Sequence, residues 1–483
     1  MIITEDKYLC FSDSWRLRVE GGHAILFSYD PEVLVWHPLP KEMTAGLLLM
    51  DGKKTVNEVK QILLFLFDDL PEEHIKELME SLLTLSSNEQ NPNHIVGYSD
   101  IPFSKTHRYK LEAVLKQMQN FTQEEYDKVE SGLLLSPLNL TIIPTDKCFT
   151  DCIYCYSQRK GANPEDILPV ERWFEIIDEA SELGIELAVL TGGDPMAYPH
   201  IIPLLEKLLS KGFLFVVPSK SYISSELAKA MADIGMKNAW NQVSIDAISD
   251  NIAEKMVGVK NYAKSAFESI QNMTNAGLNV RANCVMTPIN FSETVELVRK
   301  LDKLGVKKIS IAGYGRSYYR HNDNLFLSDE QMEQINNSIA LIKNQLSAEI
   351  SCNISRRDYS NASVEKRTEE WEERAKCSGG RSSMVITPTG KVTLCEQMPC
   401  EDEFVAGNLS HQSIMEVWNS HRIKLLMAPP IEKFKGTVCE TCEEFDICMN
   451  NYGYCFRDAL FTYNTVYSPP PNCPKAPMGI RLQ

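Results

Sequence analysis

Positive charge is scarce in this chain. Lys and Arg number 49 against 65 Asp and Glu, which leaves 483 residues at a net −16 and an isoelectric point near 5.2. A phosphate backbone demands a basic face, so no nucleic-acid partner is expected. Long apolar runs are missing too. No stretch approaches the roughly 20 uninterrupted apolar residues that span a bilayer, so no membrane partner is expected. The N-terminus, MIITEDKYLC, has neither a basic n-region nor an apolar h-region. Without a secretory signal the expected location is cytoplasmic. Cysteine is nearly absent from the first 147 residues, where Cys10 stands alone, and then becomes frequent, with 13 of the 14 from Cys148 onward. Disulfides are rare in a reducing cytoplasm, so this density points to metal or redox chemistry. The length calls for two to four domains, and the composition, 43% hydrophobic and 24% charged, is that of a globular protein.

The densest chemistry lies in TDKCFTDCIYCYS, residues 145–157. Three residues separate Cys148 from Cys152, and two separate Cys152 from Cys155. A [4Fe–4S] cluster normally takes four thiolates, so three from one loop would leave one iron open. By themselves, three close cysteines also suit a zinc knuckle or three buried thiols. The apolar run 138–143 (LNLTII) reads as a buried strand feeding the loop. Strand-like runs then alternate with amphipathic helices: strands at 138–143, 186–192, 213–218, 241–246, 278–286 and 307–313, helices at 170–184, 224–235, 261–277 and 292–305. Six βα units in succession predict a parallel sheet with right-handed crossovers.

Cys-x-x-x-Cys-x-x-Cys at the end of a first strand resembles the radical SAM superfamily. The resemblance implies a partial (β/α)6 barrel, an α/β fold, with its chemistry at the C-terminal ends of the strands. It implies that Cys148, Cys152 and Cys155 hold a [4Fe–4S] cluster whose open iron chelates S-adenosylmethionine, and that cleavage yields a 5′-deoxyadenosyl radical. Further roles come with it. Gly192, Gly193 and Asp194 match the GGE motif that meets the methionine, with Asp in place of the commoner Glu. Tyr154 takes the aromatic position near the adenine. Ser244 and Asp246 match a ribose-contacting S-x-D, and Arg316 a GR dipeptide near the cofactor. One departure follows strand three. Relatives often read T-N-G-T, whereas this chain reads Pro218-Ser219-Lys220-Ser221, which places Lys220 near the site, either to meet a substrate carboxylate or to be solvated.

Cysteines gather again near the C-terminus, at Cys377, Cys395, Cys439, Cys442, Cys448, Cys455 and Cys473, with Gly390 ahead of the second. This resembles the SPASM domain, except that six residues rather than three separate Cys448 from Cys455. Two zinc sites of the four-thiolate type would also be satisfied by such a set. The resemblance implies two auxiliary [4Fe–4S] clusters: an outer one on Cys439, Cys442, Cys448 and Cys473, and an inner one on Cys377, Cys395 and Cys455 with a fourth position open. Cys400 lies outside the pattern, and Cys10, Cys284 and Cys352 read as buried or incidental thiols.

Residues 1–100 read as three short strands (15–19, 24–29, 33–37) and three helices (43–50, 55–67, 71–83), a winged-helix-like α+β module. Pro71 with two following glutamates marks the third helix start. MDGKKTVNEV (50–59) resembles the turn of PqqD-like peptide-recognition elements. The resemblance implies that the leader of a ribosomally made precursor peptide adds as a strand beside VLVWH (33–37). A structural cap or dimerisation module is the alternative. The expected organisation is therefore a recognition element at 1–100, bridging helices at 101–136, the barrel at 137–346 and the SPASM domain at 347–483. That order resembles radical SAM maturases of ribosomal peptides, fed by a flavodoxin- or ferredoxin-type electron donor, with a cysteine thioether the leading product. Carbon–carbon crosslinking, modification of a folded protein and a non-enzymatic metal scaffold stand as alternatives.

Overall fold

The computed structural model describes residues 4–29, 35–84, 95–103, 108–157, 166–352, 354–452 and 454–483. The chain divides into two compact units, Met1–Leu135 and Ser136–Gln483. Among the described residues no helix is long and apolar enough to cross a membrane.

In the first unit, strands β1 (Tyr8–Phe11), β2 (Trp15–Glu20), β3 (His23–Ser28), β4 (Trp36–Leu39), β5 (Asp51–Thr55) and β6 (Val96–Ser99) make two small sheets. One is ordered β2-β3-β4, the other β5-β1-β6. The hydrophobic pattern found β2 and β3, while β4 runs three residues later than expected; positions 33 and 34 of that expectation lie outside the described residues. The second sheet was not anticipated. Its strands are short and sit next to stronger helical signals, and β5 carries DGKKT, which reads as a turn. The three expected helices form at Lys41–Leu49, Val56–Leu66 and Glu72–Thr84. Thr55 and Glu58 cap the second reciprocally, satisfying amide groups that a helix start leaves free. Leu82 of the third presses on Gly46 of the first, where a Cβ would lie 2.4 Å from it. The helix pair therefore approaches as closely as a glycine allows.

The second unit is built on one ten-stranded sheet. The barrel strands are β7 (Asn139–Ile142), β8 (Leu187–Leu190), β9 (Leu214–Ser219), β10 (Trp240–Ser244), β11 (Asn279–Met286) and β12 (Lys308–Gly313), paired in parallel in chain order. All six coincide with the expected runs. The sheet does not stop there. β13 (Glu349–Cys352) adds in parallel to β12, and β14 (Ser383–Ile386) adds in parallel to β7. β15 (Lys391–Thr393) and β16 (Gly407–Asn408) continue it antiparallel. The β14–β15 hairpin is thus an extension of the barrel's own sheet. Helices Val170–Glu182, Ser225–Asp233, Tyr262–Asn275 and Thr294–Lys303 return the chain between strands, joined by Ile201–Ser210 and Asp250–Val257. One continuous core runs from Leu140 and Ile142 through Phe215 and Met286 to Trp418. It leaves the polar residues at the C-terminal strand ends as the place for chemistry.

Candidate active site and cysteine centres

The loop after β7 carries Cys148, Cys152 and Cys155. It is pinned from below: Asp151 N–H donates to Val257 O at 2.8 Å and Ile153 N–H to Met256 O at 3.0 Å. Arg320 holds it from the side, donating to Cys152 O at 3.0 Å and pairing with Asp151 at 2.6 Å. The Thr150 hydroxyl lies 3.3 Å from Cys148 Sγ and 3.4 Å from Cys152 Sγ, so it spans two of the three thiols. Burial raises the Cys152 thiol, and Lys220 opposes that rise.

The Thr191–Asp194 turn lies flush on this loop. Gly193 N–H donates to Thr145 O at 3.0 Å and Asp194 N–H to Lys147 O at 2.7 Å. A Cβ on Gly193 would fall 2.2 Å from Lys147 O, and Gly192 has φ +119° with Thr145 O 2.7 Å from its own would-be Cβ. The glycines are there for close approach, a role the motif alone does not disclose. Asp194 is nearly inaccessible, and its carboxylate accepts from Met196 N–H (3.0 Å), Ser219 Oγ (2.9 Å), Lys220 N–H (2.8 Å) and Ser221 Oγ (3.0 Å). An ionised carboxylate has about four acceptor positions. A methionine ammonium would therefore have to share oxygens already engaged by the chain.

Asp246, 2% exposed, is the second hub. Its carboxylate accepts from Tyr154 OH, from Lys220 Nζ at 3.0 Å and from Val285 N–H at 2.9 Å. Burial holds the Tyr154 phenol well above its usual value, with Asp246 adding to the rise. Tyr154, Asp194, Ser244 and Asp246 are thus brought together, joined by Lys220 and Tyr262. Arg316 is not part of this group. Its guanidinium donates to Arg481 O at 3.0 Å and Asp323 at 2.9 Å, and its amide to Leu482 O. The arginine that touches the cysteine loop is Arg320, which no motif marked. Lys220 is largely buried, its side chain 11% exposed, and it is ion-paired with Asp246 rather than extended into solvent.

The remaining cysteines fall into two sets. Burial pushes Cys439 up to about 12, with Cys473, Cys448 and Cys442 around it adding to the push. The Lys475 ammonium lies 3.3 Å from Cys442 Sγ. Burial likewise lifts Cys395 to about 11 and Cys455 to about 12, each with Cys377 beside it. Cys377, Cys395 and Cys455 line one cavity of about 170 Å³ with Met398 and Arg457. The long Cys448–Cys455 spacing has a structural answer: a π-helical turn spans Cys448–Tyr452 and takes up extra chain between the two sets. Cys400 stands with Lys391, Thr387 and Asp146 instead. Among the described residues no three His, Cys, Asp or Glu side chains converge on a point where a single metal ion would sit. The donor sets fit iron–sulfur clusters: three thiols on one loop, three around a cavity, and four mutually close. Burial raises the thiols of Cys152, Cys395, Cys439, Cys448, Cys455 and Cys473, so loading would have to drive their deprotonation. Glu396, next to Cys395, was also missed. Its carboxyl is raised by burial and hydrogen-bonds Tyr156 and Thr191, tying the inner set to the cysteine loop.

Comparison with known proteins agrees with this geometry. Residues 142–301 match the Radical SAM superfamily, and residues 377–444 match SPASM, an iron–sulfur cluster-binding domain. The chain is similar to PqqA peptide cyclase of Methylorubrum extorquens (strain PA1), 25% identical over 360 residues that cover 72% of this chain and 88% of that one. PqqA peptide cyclase of Rhizobium meliloti (strain 1021) is 21% identical over 355 residues, covering 72% and 90%. The fold is that of Streptococcus suis SuiB, at TM-score 0.63 and 16% identity, covering 96% of this chain and 99% of SuiB. SuiB bound to precursor peptide SuiA superposes at TM-score 0.61 and 16% identity, over 97% and 98%. The cofactors are accordingly [4Fe–4S] clusters and S-adenosylmethionine.

Proposed function

We propose that this chain is a radical SAM maturase of a ribosomally made peptide and that its leading product is a cysteine thioether. The observation that carries the reading is a three-cysteine loop at the C-terminal end of a parallel sheet, in one unit with two further cysteine sets. The names of the relatives, a PqqA peptide cyclase and a SuiB bound to a precursor peptide, support a peptide as substrate. Bound together, the cluster and S-adenosylmethionine supply hydrogen-atom abstraction from an unactivated carbon. Cys148, Cys152 and Cys155 hold the cluster, and Thr150 and Arg320 fix the loop that carries them. Gly192, Gly193 and Asp194 border the methionine end of the cofactor; Tyr154, Ser244 and Asp246 border its nucleoside end. Cys377, Cys395 and Cys455, which line one cavity, would hold an inner auxiliary cluster. Cys439, Cys442, Cys448 and Cys473 hold the outer one. A flavodoxin- or ferredoxin-type protein supplies electrons.

The leader binds the first unit along β4. Among the described residues that strand pairs with β3 alone, and His37 and Pro38 on it are exposed. A cavity of about 570 Å³ lies beside it, walled by Pro38, Pro40, Phe121 and Tyr126. Strand addition would satisfy main-chain groups along that edge, and the cavity would take a side chain. The test is anaerobic incubation of the reconstituted protein with S-adenosylmethionine, a reductant and a cysteine-containing precursor peptide, read by mass spectrometry. A loss of two hydrogens per crosslink with 5′-deoxyadenosine formed, and a thiol no longer open to iodoacetamide, is the expected result. A two-hydrogen loss with all thiols still reactive would move the reading to a carbon–carbon crosslink. Absence of 5′-deoxyadenosine from fully iron-loaded protein would overturn the catalytic reading.

A further inference from the structure

The segment Pro218–Ser221 departs from its relatives at the point where β9 ends, and the structure shows what the departure does. Ser219 and Ser221 give their hydroxyls to Asp194, and Lys220 gives it a backbone N–H at 2.8 Å. The Lys220 side chain turns the other way. Its ammonium donates to Ser244 O at 3.0 Å and to Asp246 Oδ2 at 3.0 Å. It also lies 5.7 Å from the Tyr154 ring centroid and 5.4 Å from that of Tyr262. The side chains of Lys220 and Asp246 are 11% and 1% exposed, so each ion depends on the other. Burial works against the ammonium, but Asp246, Tyr154 and Tyr262 outweigh it and hold the group well above its ordinary value. One residue thus grips both buried acids at the site, one through its backbone and one through its side chain.

We infer that Lys220 is a positioning residue of the S-adenosylmethionine site: its ammonium fixes Asp246, and through Asp246 the Tyr154 hydroxyl, in the arrangement that receives the nucleoside end of the cofactor. Three features favour this over a simple counter-ion. Tyr154 and Lys220 donate to the same carboxylate oxygen of Asp246, so an Asp246 side chain that shifts on loss of the ammonium would carry the Tyr154 hydroxyl with it. Ser244 O accepts from both Lys220 and Tyr262, which fixes the end of β10 as well. The ammonium is also placed by two ring faces, which confine it without consuming donors. The inference rests on the assignment of Tyr154, Ser244 and Asp246 to the cofactor, and is independent of what the peptide substrate is.

The test measures S-adenosylmethionine binding by equilibrium dialysis, together with iron content, for the anaerobically reconstituted full chain and for Lys220→Met, Lys220→Gln and Lys220→Arg. Loss of a charged, buried hydrogen bond predicts binding weakened about tenfold or more for Lys220→Met, at wild-type iron content. Lys220→Gln, which keeps a donor and loses the charge, is expected to fall between. Lys220→Arg, which keeps both the charge and the donors, is expected to bind more tightly than Lys220→Met. Should Lys220→Met fail to load iron, the Gln and Arg variants decide. Wild-type affinity in Lys220→Met or Lys220→Gln at full iron content would overturn the inference, as would an Arg variant as weak as Met. Failure of the wild-type protein itself to bind S-adenosylmethionine would instead sink the cofactor assignment, so the two outcomes are distinguishable.

Discussion

Substituting Gly193 by alanine tests the central geometric claim, that the Thr191–Asp194 turn and the cysteine loop form one interlocked surface. The new methyl group would lie 2.2 Å from Lys147 O and 2.5 Å from the Asp146 carbonyl carbon and oxygen. These are backbone atoms, so no side chain can swing away, and the turn must lift from the loop by about 1 Å to restore ordinary contact distances near 3.5 Å. Lifting stretches the Gly193–Thr145 and Asp194–Lys147 hydrogen bonds, now 3.0 and 2.7 Å. Two backbone bonds at about 1 kcal/mol each, with about 1–3 kcal/mol for the overpacked contact, give a local cost of about 3–5 kcal/mol. That is large for a loop and falls short of the stability of a unit this size. The fold should survive while the cysteine loop shifts. Gly193→Ala is therefore expected to keep the far-ultraviolet spectrum of the wild type, melt several degrees lower, and lose most S-adenosylmethionine binding. Gly315→Ala is the control, since its Cβ would meet only Leu482 O at 3.7 Å; it should differ little from wild type. If Gly193→Ala binds S-adenosylmethionine as tightly as Gly315→Ala, the interlock has no part in the site.

Three further outcomes are expected. Replacing Cys439 and Cys442 together with alanine should lower bound iron by about four atoms per chain, whereas Cys400→Ser should leave iron content unchanged; equal loss in both would show that the cysteine sets are wrongly drawn. Asp458 is buried, yet Arg457 and Arg357 outweigh that burial and hold its carboxyl below the usual 3.8. A depressed folded value contributes stability fully above the unfolded value and loses it as pH falls through the folded one. The melting-temperature gap between wild type and Asp458→Asn should accordingly be constant near neutral pH and shrink only below about pH 4; a gap that shrinks between pH 8 and 6 would contradict the pairing. Addition of the leader peptide to the full chain should slow amide exchange along Trp36–Leu39 and leave Trp15–Glu20 unaffected, and protection of Trp15–Glu20 alone would place the peptide on the opposite edge of the sheet.

The barrel was legible because strands such as β7 and β8 are largely buried on both faces. Runs such as LAVL and LFVVPS have no alternation to misread, and the helices between them carry strong apolar faces. β1, β5 and β6 were not legible, since DGKKT and VGYS become strands only through pairing with YLCF, a tertiary fact. At the site, cysteine spacing disclosed the loop, and the short motifs drew attention to Tyr154, Asp194 and Asp246. Spacing could not disclose that Asp194 spends its acceptors on Ser219, Lys220 and Ser221, because those residues follow the next strand. It also could not tell Arg316 from Arg320. Both lie in one polar loop, and only the folded chain shows that the first holds the C-terminal residues while the second holds the cysteine loop. Glu396 carried no signal of its own beyond adjacency to Cys395.

The strand order determines which auxiliary set can communicate with the cysteine loop. β14 pairs with β7 along Ser383–Ile386, and β7 runs directly into that loop. β15 pairs with β14 and delivers Cys395 two residues after its end. The hairpin carrying Cys395 is therefore hydrogen-bonded to the strand that leads into the cysteine loop. Glu396 closes the connection from above by bonding Tyr156, which follows Cys155, and Thr191, which opens the glycine turn. The outer set is tied to the sheet through one side chain: Arg381, two residues before β14, donates to Met449 O and Asn450 O, each at 2.6 Å, in the turn that follows Cys448. Its cysteines hang on 3-10 and π-helical turns packed around Phe434 and Tyr454. A displacement of the glycine turn or of the cysteine loop would therefore strain the Cys395 hairpin directly, and would reach the outer set only through Arg381 and the start of β14. By backbone pairing, the Cys395 hairpin is joined to the cysteine loop itself, whereas Cys439, Cys442 and Cys448 pack on a separate small cluster around Phe434 and Tyr454.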